Sequence, residues 1–296
     1  MGRSSGRAAS RLDVDGGDVG LRTETEWVEH LRAVRMQCQS WMDDPDYLRP
    51  PDPDSSLAAD DRPFAGYMTA CVQSLVSQAM EHVMLGTGAD SSGDGIAVYP
   101  SAQHTVVRGA VVAVSLALWM LTAHTRSQRQ SRFVSFMLDD LAKERKMLND
   151  SVTGMPGLDA STVAADQAKL DAREARWRDV AAKHGLSVGV PVNLTTDVIP
   201  KAFAAAFSSG GSGFPFIVPL WRMTSSAAHG SFSHIFRQLI QTGEKVADSD
   251  GGGLYRYTGS FDEVGPLIDG SMVLLARASW WYNERSASPF SGLRRD

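Results

Sequence analysis

Apolar side chains recur at three- and four-residue intervals along most of the chain, the period of helices with one buried face. Residues 25–41 carry Trp27, Leu31, Val34 and Met36 in this pattern. Residues 64–85 carry a fuller stripe of Met68, Cys71, Val72, Leu75, Val76, Ala79 and Val83. Between them, DDPDYLRPPDPD contains four prolines, through which no helix continues. GTGADSSGDG then breaks the chain before a third helix, predicted over 101–123. Thr125 followed three residues later by Gln128 matches a capping box, which starts a fourth helix at Arg126 and runs it to Asn149. The third and fourth helices are expected to form an antiparallel hairpin.

An alanine- and charge-rich surface helix over 161–184 has Leu170, Trp177 and Val180 as its sparse stripe and Gly185 as its stop. A short helix over 198–207, a seventh over 217–240 and an eighth over 266–283 complete the pattern. The glycine-rich DSDGGGLYRYTGSF before the last helix reads as a loop with one short hairpin at 254–258. No repeat of fixed period is present. The pattern predicts an all-α fold, a bundle of about eight helices with long Gly/Pro-rich loops. Residues 1–22 read as a disordered leader, 23–285 as a single helical domain and 286–296 as a flexible tail.

A chain of 296 residues with 43% hydrophobic and 21% charged positions has the composition of a globular protein, which excludes collagenous and fully disordered classes. Two cysteines exclude a disulfide framework and a four-cysteine zinc site. The net charge, 29 − 34 = −5, gives no general attraction for polyphosphate, so nucleic-acid binding needs a local patch. The basic N-terminus lacks an apolar run, and the uncharged stretch 109–123 is shorter than the roughly 20 residues of a spanning helix. A buried core helix, no membrane contact and a cytoplasmic location are therefore expected. GTGADSSGDG lacks the Lys-Ser/Thr that closes a P-loop, and no Gly-x-Ser-x-Gly elbow exists. Glu26, Glu29 and His30 do not form the paired Glu-x-x-His of carboxylate-bridged iron sites. No metal and no cofactor are expected.

Three features carry candidate chemistry. Arg126, Arg129 and Arg132 fall in the first two turns of the fourth helix, where cations oppose the helix dipole unless they meet anions. Those anions are either carboxylates such as Asp139, Asp140 or Asp150, or a bound phosphate. Arg108 sits in the most apolar helix, where burial without a partner is costly. In the seventh helix, taking Arg222 as 0° and about 100° per residue, Ser226 falls at about 40°, His229 at about −20° and Ser233 at about 20°. Trp221, Ala228, Phe232, Ile235 and Leu239 form a separate core face between about −80° and −140°. A permanently charged guanidinium and a titratable imidazole thus lie on one line among small polar residues.

This arrangement resembles the Arg-x(4–6)-His motif of the HEPN superfamily, all-helical domains that include metal-independent ribonucleases of toxin and phage-defence systems. The chain also looks like a family of uncharacterised helical bacterial proteins ending in an aromatic-Arg-x-x-Ser-x-x-x-His helix, here Trp221, Arg222, Ser225 or Ser226, and His229. Met223 stands where catalytic members carry Asn, Asp or His. The resemblance implies that His229 moves a proton as an RNA 2′-hydroxyl attacks its own phosphate, that Arg222 stabilises the phosphoryl charge, and that two copies complete the site in a homodimer. Ser226, Ser233, Arg108, Arg126 and Arg129 are the candidate binding residues around this pair.

Other readings stay open. Arg222 and His229 could be packing residues paired with a carboxylate and a backbone carbonyl. The chain could be a non-catalytic module docking a partner protein, or a small-molecule enzyme or binder lined by the third, fourth and seventh helices. Trp280 and Trp281, about 100° apart, do not both bury easily in one core, which makes one a candidate contact. With two isolated cysteines and seven scattered histidines, the fold is expected to survive excess EDTA unchanged by circular dichroism. Stoichiometric metal in the purified protein would overturn this.

Overall fold

The computed structural model describes residues 22–88, 99, 101–154, 159–207, 217–228, 244–247, 253–256 and 260–289. Among these residues nine α-helices carry the fold, as the hydrophobic period predicts. They are α1 (Glu24–Asp43), α2 (Ser56–Asp61), α3 (Tyr67–Gly86), α4 (Ala102–Leu121), α5 (Arg126–Gly154), α6 (Ala160–Lys183), α7 (Ile199–Phe207), α8 (Ile217–Ala228) and α9 (Phe261–Ser286). A 3₁₀ turn (Arg62–Phe64) links α2 towards α3, and a π-helical turn (Leu194–Val198) leads into α7. Strands β1 (Glu244–Ala247) and β2 (Gly253–Arg256) pair antiparallel, Glu244 opposite Arg256 and Ala247 opposite Gly253. Residues 1–21 and 290–296, most of the predicted leader and tail, lie outside the described residues.

Local chemistry sets the helix starts. The capping box at Thr125 and Gln128 forms in both directions, each backbone N–H 3.2 Å from the other's side-chain oxygen, and α5 begins at Arg126 as expected. A second box, Thr23 with Glu26, opens α1. Glu26 has its carboxyl held below the usual range, chiefly by the Thr23 backbone N–H. The helix α9 starts at Phe261 rather than Pro266, because Ser260 caps it and Asp262 and Glu263 favour its positive end. Pro266 is absorbed in the second turn. Next to it, a Cβ on Gly265 would lie 2.2 Å from the Trp27 ring, so glycine is what lets α1 approach α9. Trp27 then donates to Asp262 at 2.9 Å.

The helix α4 is buried on every side from Ala113 to Leu121 and is enclosed by α3, α9, α8 and α7. Among the described residues it is the one helix long and apolar enough to cross a membrane. The expected pairing of this helix with α5 is not the main contact. Its neighbours must be apolar all round, whereas α5 is polar over much of its length and packs chiefly on α6. There, Arg145 reaches Asp171 at 2.8 Å and Glu174 at 2.9 Å, and Arg173 reaches Glu144 at 2.8 Å. Phe64, Phe133 and Trp177 fill the space under α5 and α6, with ring centroids 4.8 to 6.2 Å apart.

The last carbonyls of a helix have no partner within it, and at the buried end of α4 water cannot serve. Arginines do. Arg132 donates to Trp119 O and Arg285 Nε to Leu121 O at 2.6 Å, while Arg129 donates to Ala123 O, two residues past the helix, at 3.1 Å. Asp60, fully buried on α2, accepts from Arg129 Nε at 2.5 Å and Nη2 at 2.8 Å, and from Arg126 Nε at 3.3 Å. Its neighbour Asp61 caps α3 by accepting from the N–H groups of Met68 and Thr69, both at 3.0 Å. Two adjacent acids thus tie α2 to the start of α3 and to the start of α5.

Replacing Asp60→Asn leaves Arg129 charged, buried and unbalanced, and is expected to cost about 3–5 kcal/mol in urea unfolding. A loss under about 1 kcal/mol, typical of exposed pairs, would contradict this account.

Candidate functional site

The helix α8 turns Trp221 and Thr224 inward and Arg222 outward, with Ser225 and Ser226 half-buried between them. This matches a core face at Trp221 and a polar stripe beside it. Thr224 spends its hydroxyl on Trp221 O at 2.8 Å, so it is not free for a ligand. Arg222 forms no ion pair or hydrogen bond among the described residues. His229 and Ser233 lie outside them, as does the remainder of the predicted 217–240 helix.

The helix α8 packs on α4. On these two helices Arg108 Nε, Ser115 Oγ and Trp221 Nε1 have no hydrogen-bond partner among the described residues. Arg108 is half-buried, whereas Ser115 and Trp221 are buried. Seven residues separate Arg108 from Ser115, nearly two whole turns, so both lie on one face of α4. Two of the three orphans are obligate donors and the third can donate.

The other predicted binding residues go elsewhere. Arg126 and Arg129 converge on Asp60, not on Asp139, Asp140 or Asp150. Arg132 lies over the Trp119 ring at 5.0 Å while it serves Trp119 O. Burial holds the Arg132 and Arg285 guanidinium pKa values below their ordinary range. For Arg285, the nearby Arg129 adds to that depression and Asp60 opposes it.

Sequence reasoning missed Asp60 and Arg285. The first sits in a six-residue helix obscured by prolines, where Ser55 before Ser56 and Leu57 was the available capping signal. The second was masked by its distance from α4 in sequence.

Neither cysteine is an activated nucleophile. Burial pushes the Cys38 and Cys71 thiols each up to about 12. Trp280 stays 44% exposed under the Arg277 guanidinium, and Trp281 is half-buried beside it, so the two indoles do not share the core. No cluster of three or more His, Cys, Asp or Glu suited to a metal occurs among the described residues.

Comparison with protein-family models, curated proteins and solved structures finds no match to this chain.

The division of arginines has a direct consequence. Arg222→Ala is expected to change unfolding free energy by no more than about 0.5 kcal/mol, as at an unpartnered surface position. Arg129→Ala, which strands buried Asp60, is expected to cost about 3 kcal/mol or more. Equal effects of the two substitutions would contradict the assignment.

Proposed function

We propose that the protein is a HEPN-like, metal-independent ribonuclease that works as a homodimer, with Arg222 and His229 as its catalytic pair. The observation that carries this reading is the state of Arg222. A packing arginine would be buried against a carboxylate, whereas this one is exposed, with no acidic partner among the described residues.

In the proposed step His229 takes the proton from a ribose 2′-hydroxyl, whose oxygen attacks the adjacent phosphorus. The P–O5′ bond breaks, and the leaving oxygen takes up a proton. Arg222 offsets the charge that grows on the non-bridging oxygens. A stripe of one Arg and one His is small for a complete site, and a symmetry mate supplies its second half.

Purified protein in EDTA is expected to cleave single-stranded RNA to 2′,3′-cyclic phosphate and 5′-hydroxyl ends. His229→Ala should lower the rate by about 10²–10⁴-fold and Arg222→Ala by about 10²–10³-fold, with melting temperatures unchanged. Wild-type protein that cleaves no RNA, or that remains a 32 kDa monomer by light scattering at micromolar concentration, would contradict the reading.

A further inference from the structure

A groove of about 390 Å³ lies between α5, α6 and the segment 188–192, and none of its lining residues belongs to the site proposed above. Ser135 and Asp139, one turn apart on the same face of α5, form one wall with Leu138, and α6 contributes Arg178. The opposite wall is Val188, Gly189, Val190, Pro191 and Val192.

This wall is held at both ends. Leu186 N donates to Ala181 O at 2.9 Å, and Ser187 N donates to the Ser131 hydroxyl at 3.1 Å, one turn before Ser135. At the far end Asn193 accepts from the N–H groups of Thr195 and Thr196, both at 3.0 Å. Between these ties, Gly189 turns the chain at φ +85°, a conformation that L side chains rarely adopt.

Polar atoms at the groove are left over from the contacts within the fold. Ser135 is 4% exposed, and its hydroxyl, buried at the groove, has no hydrogen-bond partner among the described residues. A buried hydroxyl is normally paired, so this one marks a place where something else completes the bonding. Arg178 gives Nε and Nη2 to Glu174, both at 2.8 Å, which leaves Nη1. Asp139 holds Lys143 Nζ at 2.6 Å through Oδ2, which leaves Oδ1.

We infer that this groove binds a small aliphatic zwitterion of amino-acid to dipeptide size. An anion alone would face the Asp139 carboxylate, and a cation alone would face Arg178. A molecule with both charges satisfies each wall, with its carboxylate on Arg178, its ammonium on Asp139 and the Ser135 hydroxyl bonded to the polar head. Leu138, Val188, Val190, Pro191 and Val192 then enclose a branched apolar body.

Isothermal titration of the full chain with L-leucine and with L-leucyl-L-leucine tests this and tells the two sizes apart. Leucinamide and 4-methylpentanoate each lack one charge. Saturable 1:1 binding of one zwitterion is expected, with the single-charge analogues weaker by roughly tenfold or more, as loss of a charge-assisted hydrogen bond implies. Asp139→Asn and Arg178→Gln should each weaken binding by a similar factor at an unchanged urea midpoint. Because Glu174 keeps Arg145 at 2.9 Å, the second variant does not strand that carboxylate. Absence of saturable binding by either zwitterion, or binding indifferent to both substitutions, would overturn the inference and leave water as the partner of Ser135.

Discussion

The buried end of α4 is the constraint on which the rest of the architecture depends. A helix apolar on every side is the natural centre of a bundle, but enclosing its C-terminus strands a row of carbonyls that water would otherwise solvate. Arg129, Arg132 and Arg285 reach those carbonyls from α5 and α9, and Asp60 on α2 balances the charge they bring. The partners come from three helices far apart in the chain. The chemistry of one helix end therefore fixes where α2, α5 and α9 meet.

That arrangement also sorts the arginines by role. Those at the start of α5 look misplaced against their own helix dipole, yet they serve the negative end of the preceding helix and a buried acid. Arg222 has no such employment among the described residues. The contrast between arginines consumed by the fold and an arginine presented to solvent is what supports the role proposed for the α8 stripe in a protein whose net charge is −5.

Much of the fold was legible in the sequence because its signals are local. The Thr125–Gln128 box placed the start of α5 to the residue, and the continuous apolar run of α4 correctly announced a core helix rather than a surface one. The failures have physical causes. The capping Ser260 and two acids in the first turn outweighed Pro266, which costs the helix one backbone bond in its second turn. The α4–α5 pairing was inferred from chain adjacency, whereas packing follows matching faces, and α5 matches α6. The partner of Arg129 lies 69 residues away in a helix of six residues, beyond the reach of any periodicity. On the candidate site, the wheel geometry of Trp221, Arg222 and Ser226 was readable from spacing alone. The groove beside Ser135 was not, because its far wall is an extended segment with no repeating pattern.

The most direct measurement is arginine modification by phenylglyoxal, mapped by mass spectrometry with and without an RNA oligonucleotide blocked by 2′-deoxy substitution. The account predicts that Arg222 reacts rapidly and is protected by the RNA, while Arg129, closed in by Asp60 and the Ala123 carbonyl, reacts only after unfolding. Labelling of Arg129 as fast as Arg222 in the native protein, or an Arg222 that RNA leaves unprotected, would contradict it.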